Sequence, residues 1–136
     1  MTAKEYLQQA YLFDRKINLD IQMLEAARAA LHGRGVSYES DCTQSGSHEN
    51  SIEKALVRIL EYEEHINAEI DKLTEKRQEI EQTINAVRDD TQREVLTRRY
   101  LLYQKWELIA VEMDRDLRWV YRLHGRALEK LTIESH

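Results

Sequence analysis

The apolar residues of the first thirty positions recur at steps of three and four, the spacing that lines one face of an α-helix. Thr2 and Glu5 have the spacing of a capping box, in which each side chain binds the other residue's backbone amide. We predict an amphipathic helix from Thr2 to about Leu31, ending where Gly33 and Gly35 can adopt a left-handed conformation. Its apolar face comprises Ala3, Leu7, Ala10, Ile17, Ile21, Leu24 and Leu31, widened by Tyr6 and Phe13.

Residues 34–50 break this pattern. The stretch RGVSYESDCTQSGSHEN has almost no aliphatic residues and is rich in Ser, Gly and acidic side chains, which is typical of a loop. We expect a mobile connector here, followed by a second helix that Asn50 or Ser51 caps.

The second helix carries apolar residues at alternating steps of four, three and seven over five heptads. Such a narrow, long stripe is typical of a coiled-coil seam. Glu63 and Arg77 occupy two seam positions, where a charge lowers stability but can fix register or the choice of partner. The apolar seam comprises Ile52, Leu56, Ile59, Ile66, Ile70, Leu73, Ile80, Ile84 and Val87.

Two interpretations of this seam are open. The second helix either only pairs with residues 2–31 as an antiparallel hairpin, or it also forms the interface of a homo-oligomer. Because an isolated two-helix hairpin buries little surface, we expect an oligomer, with a dimer favoured. The predicted oligomerisation residues are Ile59, Ile66, Ile70, Leu73 and Ile80.

The pattern changes after Asp89-Asp90-Thr91, which interrupts the heptads and can cap a helix. Three shorter helices are predicted over 91–103, 105–113 and 116–131, the layout of a trihelical helix-turn-helix domain. Their apolar positions are Val95, Leu96, Tyr100, Leu101, Trp106, Leu108, Ile109, Met113, Val120, Leu123, Ala127 and Leu131.

The second and third of these helices meet the demands of a helix-turn-helix motif. Ala110 is small enough for a close helix crossing, and Asp114-Arg115-Asp116 forms a short polar turn. Asp116 is predicted to cap the last helix by accepting from the backbone amide of Arg118 or Trp119.

The charge is divided unevenly along the chain. The chain of 136 residues has a net charge of −5. Residues 1–90 hold 11 Lys and Arg against 18 Asp and Glu, a net of −7, whereas residues 91–136 hold 9 against 7, a net of +2. A basic residue at every fourth position of 118–130 concentrates the positive charge on one side of the last helix.

We interpret that side as a DNA-binding surface, because the first turns of such a helix enter the major groove. Arg118 and Arg122 lie one turn apart and are the predicted base readers. The other predicted contacts, to phosphates or thymine methyl groups, are Trp119, Tyr121, Arg126, Lys130, Arg115, Arg99 and Arg98. The alternative interpretation is a solvated basic face, with Trp119 packed against the coiled coil.

Composition argues against several other classes of protein. There is no proline, and the four glycines are too few for the turns of a sheet protein. The single cysteine, Cys42, cannot form an intrachain disulfide, and with His32 and His48 it falls short of a structural zinc site. We therefore predict no metal or other cofactor. No long apolar run or signal peptide is evident, so we expect a cytoplasmic protein that does not enter membranes.

A resemblance supports the helix-turn-helix interpretation. Residues 93–131, REVLTRRYLLYQKWELIAVEMDRDLRWVYRLHGRALEKL, resemble region 4 of sigma-70-type transcription factors. The similarity lies in Arg99-Tyr100, in W-E-L-I-A and in V-Y-R-L-H-x-R-A-L-x-K-L. Together with the acidic helical first part, the chain is similar to small phage-encoded regulators such as the late-gene activators of the ArpU and RinA type.

The resemblance implies that Leu117, Arg118 and Arg122 read the bases. Leu117 departs from the polar reader usual in region 4, and Arg115 from its aliphatic turn residue. Region 4 also contacts RNA polymerase, so polymerase is a further implied partner. No counterpart of region 2 accompanies it, so the chain is not expected to melt a promoter alone.

We therefore expect an all-α protein with a helical hairpin or coiled-coil assembly region at 1–90 and a helix-turn-helix domain at 91–136. Its expected function is sequence-specific binding of double-stranded DNA to regulate transcription in a bacterial host cell. The alternative is a helical adaptor that binds RNA polymerase or a sigma factor and reads little DNA itself. We do not expect an enzyme, because no nucleophile, base and orienting group come together.

Overall fold

A computed structural model of the chain describes residues 1–36 and 45–131, with side chains for 1–32 and 50–131. Every regular element in these ranges is a helix, which confirms the predicted all-α fold. None of the helices described is both long enough and apolar enough to cross a membrane. The helices are α1 (Ala3–Val36), α2 (Ser45–Asn85), α3 (Asp90–Tyr100), α4 (Trp106–Glu112) and α5 (Leu117–Lys130).

Two predicted helix ends are wrong. Helix α1 continues through Gly33 and Gly35 to Val36, and α2 begins at Ser45 rather than at Asn50 or Ser51. Glycine weakens a helix by about 1 kcal/mol relative to alanine but does not forbid one, so two glycines alone do not end α1. Residues 37–44 of the predicted connector, including Cys42, lie outside the described residues.

Side-chain caps begin two of the helices as predicted. The Thr2 hydroxyl accepts from the amide of Glu5 at 3.1 Å, and the Glu5 carboxylate accepts from the amide of Thr2 at 3.0 Å, which completes the capping box. The Asp89 carboxylate accepts from the amide of Gln92 at 2.9 Å at the start of α3. These hydrogen bonds satisfy amides that the first turn of a helix leaves without intrahelical partners.

The chain forms two compact units, which differ from the predicted division at residue 90. Arg15–Asp71 forms one, which we call the hairpin unit. Met1–Asp14 and Lys72–His136 form the other, the composite unit, which contains the first turns of α1, the last turns of α2 and the three short helices.

In the hairpin unit, α1 and α2 run antiparallel, as the ion pairs Lys16–Glu69 and Arg28–Glu63 show. Arg28 thus pairs with one of the two predicted seam charges. The apolar contacts come from Ile17, Leu24, Ile59 and Ile66, which are buried.

The heptad prediction holds only in part along α2. Ile59, Ile66 and Ile80 are buried within the chain, but Ile70 is 41% exposed and Leu56 is 46% exposed. Glu69 is buried in place of Ile70, at 5% exposure. A straight α-helix drifts by about 20° per heptad from a strict seven-residue repeat, so the buried face moves to a neighbouring position.

The composite unit has a single core built from all five helices. Its fully buried members include Leu7 of α1, Ile80 and Ile84 of α2, Leu96 of α3, Ile109 of α4 and Val120 of α5. Leu101, Trp106, Met113 and Leu131 pack against it while partly buried, whereas the predicted apolar position Leu108 is 43% exposed. The three short helices therefore share their core with the ends of the two long ones.

Arg77, the second predicted seam charge, ties α2 to the end of α3. Its guanidinium donates to the Leu101 carbonyl at 3.1 Å and to the Tyr103 hydroxyl at 2.7 Å. Tyr103 has a φ of 58°, a conformation that non-glycine residues seldom adopt without support from their surroundings. Arg77 holds Tyr103 there together with Tyr11, whose ring centroid lies 5.6 Å from that of Tyr103.

His124 joins α3, α4 and α5 inside this core. It is 8% exposed, its Nε2 lies 2.6 Å from the Tyr100 hydroxyl, and the Trp106 ring meets it edge-on at 4.6 Å. Burial lowers the pKa of His124 to about 4 and raises the pKa of Tyr100 to about 12. The neutral imidazole therefore accepts the hydrogen bond that the phenol donates.

We expect the free energy of unfolding to fall as the pH drops from about 6.5 to about 4. In this window the unfolded chain takes up a proton on His124 that the folded chain excludes, so acid favours unfolding by roughly 3 kcal/mol. Urea unfolding at several pH values measures the loss. His124→Gln is the control, because its amide oxygen can still accept from Tyr100 but does not titrate. Equal losses in both proteins would contradict the assignment.

Candidate nucleic-acid interface

The turn between α4 and α5 is held by backbone hydrogen bonds. Asp114 has a φ of 55°, and its amide donates to the Val111 carbonyl at 3.1 Å. The Arg115 amide donates to the Ala110 carbonyl at 3.0 Å. This pair of bonds is a Schellman motif, with Asp114 taking the left-handed position that is most often glycine. The predicted turn thus ends α4 within a few residues and redirects the chain.

Asp116 then begins α5. Its carboxylate accepts from the Trp119 amide at 2.8 Å, one of the two partners predicted. The buried side of α5 consists of Val120, Leu123, His124 and Ala127. Because these four residues fix the rotation of the helix on the core, they also determine which side chains face outward.

The outward face of α5 is basic. Arg118, Arg122, Arg126 and Lys130 are all exposed. Within the described part of the chain, none of them forms a salt bridge, whereas Arg28, Arg93 and Arg98 pair with nearby carboxylates. The four cations are therefore available to an external anion. Glu129 is also exposed on this helix, and its negative charge reduces the net positive charge of the last turns.

Leu117 and Trp119 differ from the other predicted DNA contacts on α5. Both are half-buried and pack against the core of the composite unit. The guanidinium of Arg115, an exposed residue, lies over the Trp119 ring at 4.9 Å from its centroid. Trp119 thus packs inward, as the alternative interpretation held, although against the composite core, and it positions Arg115 at the start of the basic face.

Arg98 and Arg99, two predicted phosphate contacts, have partners within the protein. Arg99 donates to the Gln104 carbonyl at 2.9 Å, and its guanidinium lies over the Trp106 ring at 4.5 Å. Arg98 pairs with Glu94 at 2.7 Å. Both side chains are half-buried, so they stabilise the connection from α3 to α4.

Tyr121 lies at the edge of the basic face. Its ring packs edge-on against Trp106 at 5.4 Å and remains 47% exposed. Its hydroxyl therefore stays within reach of a ligand while its ring is fixed, which limits the entropy lost on binding.

Gly125 leaves a gap in the middle of this face. A Cβ atom built there would meet nothing within 4 Å, so no neighbour in the chain requires glycine. A helical glycine costs about 0.5–1 kcal/mol relative to alanine. Glycine is favoured where a ligand approaches the backbone closely, and this explanation fits an exposed position one turn from Arg122.

Sequence reasoning did not identify the structural role of His124. The Tyr100–His124 contact follows from how α3 and α5 cross, for which the sequence has no signal. The gap at Gly125 had a signal, because a lone glycine within a predicted helix is unfavourable.

No family model, curated protein or solved structure matches the chain.

Proposed function

We propose that the chain is a sequence-specific DNA-binding transcriptional regulator that inserts α5 into the major groove. The observation that carries the proposal is the outward face of α5, whose four exposed cations lack salt bridges within the described part of the chain. Arg118 and Arg122, near the start of α5, would donate to guanine edges. Arg115, Arg126 and Lys130 would contact phosphates.

The resemblance of residues 93–131 to sigma region 4 supports a role in transcription and a phage or prophage origin. The acidic remainder of the chain would confine DNA to the basic face by repelling phosphates elsewhere. Binding would weaken steeply with salt, because neutralising phosphates releases counterions.

The adaptor alternative is favoured by a different surface. On α4, Val111 is 75% exposed and Leu108 is 43% exposed, and the acidic residues Glu107 and Glu112 lie beside them. An apolar patch with acidic neighbours suits a protein partner such as RNA polymerase better than it suits phosphates.

Self-association is part of the proposal. Because Ile59, Ile66 and Ile80 are buried within the chain, a second copy would contact other residues. The hairpin unit exposes apolar side chains suited to this, namely Leu19, Met23, Leu56, Val57, Leu60 and Ile70. A dimer would place two copies of α5 on half-sites about one helical turn of DNA apart, or a multiple of that.

Replacing both Arg118 and Arg122 by alanine is expected to weaken specific binding by about thirtyfold or more, since each bidentate contact to guanine contributes about 1–3 kcal/mol. The duplex would first be selected from random sequences, and affinity measured by fluorescence anisotropy at fixed salt. Arg15→Ala with Arg58→Ala is the matched control, because both arginines are exposed in the hairpin unit. Full affinity and transcriptional output in the first variant would favour the adaptor.

Gly125→Ala is expected to change stability and binding in opposite directions. The added methyl group meets nothing in the chain, so the helix should gain about 0.5–1 kcal/mol. The same methyl group would obstruct a duplex lying close to α5, and affinity should fall by about tenfold, about 1.4 kcal/mol. Thermal unfolding and anisotropy measure the two effects. If the variant is more stable and binds DNA as well as the wild type, Gly125 is not part of the DNA interface.

The dimer is tested by sedimentation equilibrium, with and without the selected duplex. For the wild type we expect twice the monomer mass. The double variant Leu19→Glu plus Met23→Glu should shift the protein toward the monomer, because charged side chains oppose the burial of an apolar contact. Enrichment of an inverted repeat among the selected sites would agree with this result. A complex with the mass of one protein chain plus one duplex, measured on DNA that bears a single selected site, would contradict the dimer.

A further inference from the structure

The hairpin unit contains a group of potential metal ligands that neither DNA binding nor self-association uses. Asp20 lies on α1, and His65 and Glu69 lie on α2. His65 and Glu69 are four residues apart and therefore share one side of the helix. One ligand atom from each of the three residues lies within 4.8 Å of the other two. Two ligands of one ion with metal–ligand distances of about 2.0–2.2 Å lie at most about 4.4 Å apart, so a small movement of the side chains would bring all three atoms onto one ion.

Two oxygen atoms of this group lack hydrogen bonds from the described residues, although His65 Nε2 lies 3.6 Å from Asp20 Oδ2 and also contacts Glu69 Oε1. Glu69 is 5% exposed, and its Oε2 atom is buried without a hydrogen bond. The Oδ2 atom of Asp20 is buried in the same way. An unsatisfied polar atom in the interior destabilises the fold, and more so if it is charged. A bound cation, or a proton between the carboxylates, would remove this cost.

Charge leads to the same requirement. Lys16 donates to Glu69 Oε1 at 3.0 Å and is the partner of one carboxylate. The two carboxylates face one lasting positive charge, that of Lys16, because the His65 imidazole beside them is charged only when it is protonated. A bound cation or a proton would neutralise the second carboxylate. Burial and the neighbouring Glu69 raise the pKa of Asp20, which makes a proton on Asp20 the competing explanation.

We propose that Asp20, His65 and Glu69 bind a divalent transition-metal ion of the zinc class. One imidazole with two carboxylates suits Zn²⁺, Co²⁺ or Mn²⁺ better than Mg²⁺ or Ca²⁺, which prefer oxygen ligands alone. Three protein ligands leave at least one position for water. The side chain of His65 is 54% exposed, so an ion can enter from solvent. The side chain of Lys16 is 60% exposed, and its ammonium can move into water when the ion arrives.

Such an ion would join α1 to α2 inside the hairpin unit. Because the ligands are brought together only when the helices pair, metal binding would stabilise the folded hairpin over the unfolded chain. The sequence analysis predicted no metal site, because this group combines residues that lie 45 to 49 positions apart in the sequence.

The test is titration of the metal-free full chain with Co²⁺ at neutral pH, followed by visible absorption and then by displacement with Zn²⁺. We expect one equivalent to bind and the melting temperature to rise. His65→Ala should weaken uptake by at least about tenfold, since it removes a first-sphere ligand. His65 is largely exposed, so this variant should fold. His32→Ala with Cys42→Ser is the matched control and should bind like the wild type.

Two results would overturn the proposal. If the wild type takes up no Co²⁺ or Zn²⁺, a proton neutralises the group and the site is not a metal site. If His65→Ala binds as well as the wild type, or the control variant loses binding, the ion lies elsewhere. Neither result bears on DNA binding, because Asp20, His65 and Glu69 are remote in sequence from α5 and none is a proposed DNA contact.

Discussion

The rest of the composite unit depends on the burial of Leu7 and Ala10, from the first turns of α1, in one core with α3, α4 and α5. Burying a large aliphatic side chain contributes about 1.5–3 kcal/mol. Three helices of 11, 7 and 14 residues are too short to be stable alone. Ile80 and Ile84 of α2 add to the same core, so the two long helices supply apolar surface that the short helices lack.

This shared core explains how the outward face of α5 is set. Val120 and Ala127 are fully buried, so the rotation of α5 is fixed and Arg118 and Arg122 must face away. The α4–α5 turn and the Asp116 cap set where the helix starts. The orientation of the proposed DNA-binding surface therefore depends on how the opposite, buried side of α5 packs. Substitutions in the core would change this orientation without replacing a basic residue.

Features fixed by local chemistry were predictable from sequence. The capping box at Thr2 and the Asp116 cap need only residues three positions apart, and both are confirmed. The predicted end of α1 at Gly33 and Gly35 is wrong, because a helix propensity is a weak preference. The burial of Glu69 instead of Ile70 depends on the other helix of the pair, α1, because Lys16 of α1 donates to the Glu69 carboxylate. His124 likewise becomes a core residue only through the crossing of α3 and α5.

The long sequence separation within the composite core has a consequence for synthesis on the ribosome. Leu7 emerges early, but Val120, with which it shares the core, is added roughly 110 residues later, about 5–20 seconds at usual elongation rates. Until then the apolar side of the first turns can meet Ile80 and Ile84 of α2 but not the core residues of α5. The hairpin unit is complete much earlier and can form first, so the nascent chain would hold a finished hairpin unit while α3, α4 and α5 are still being added.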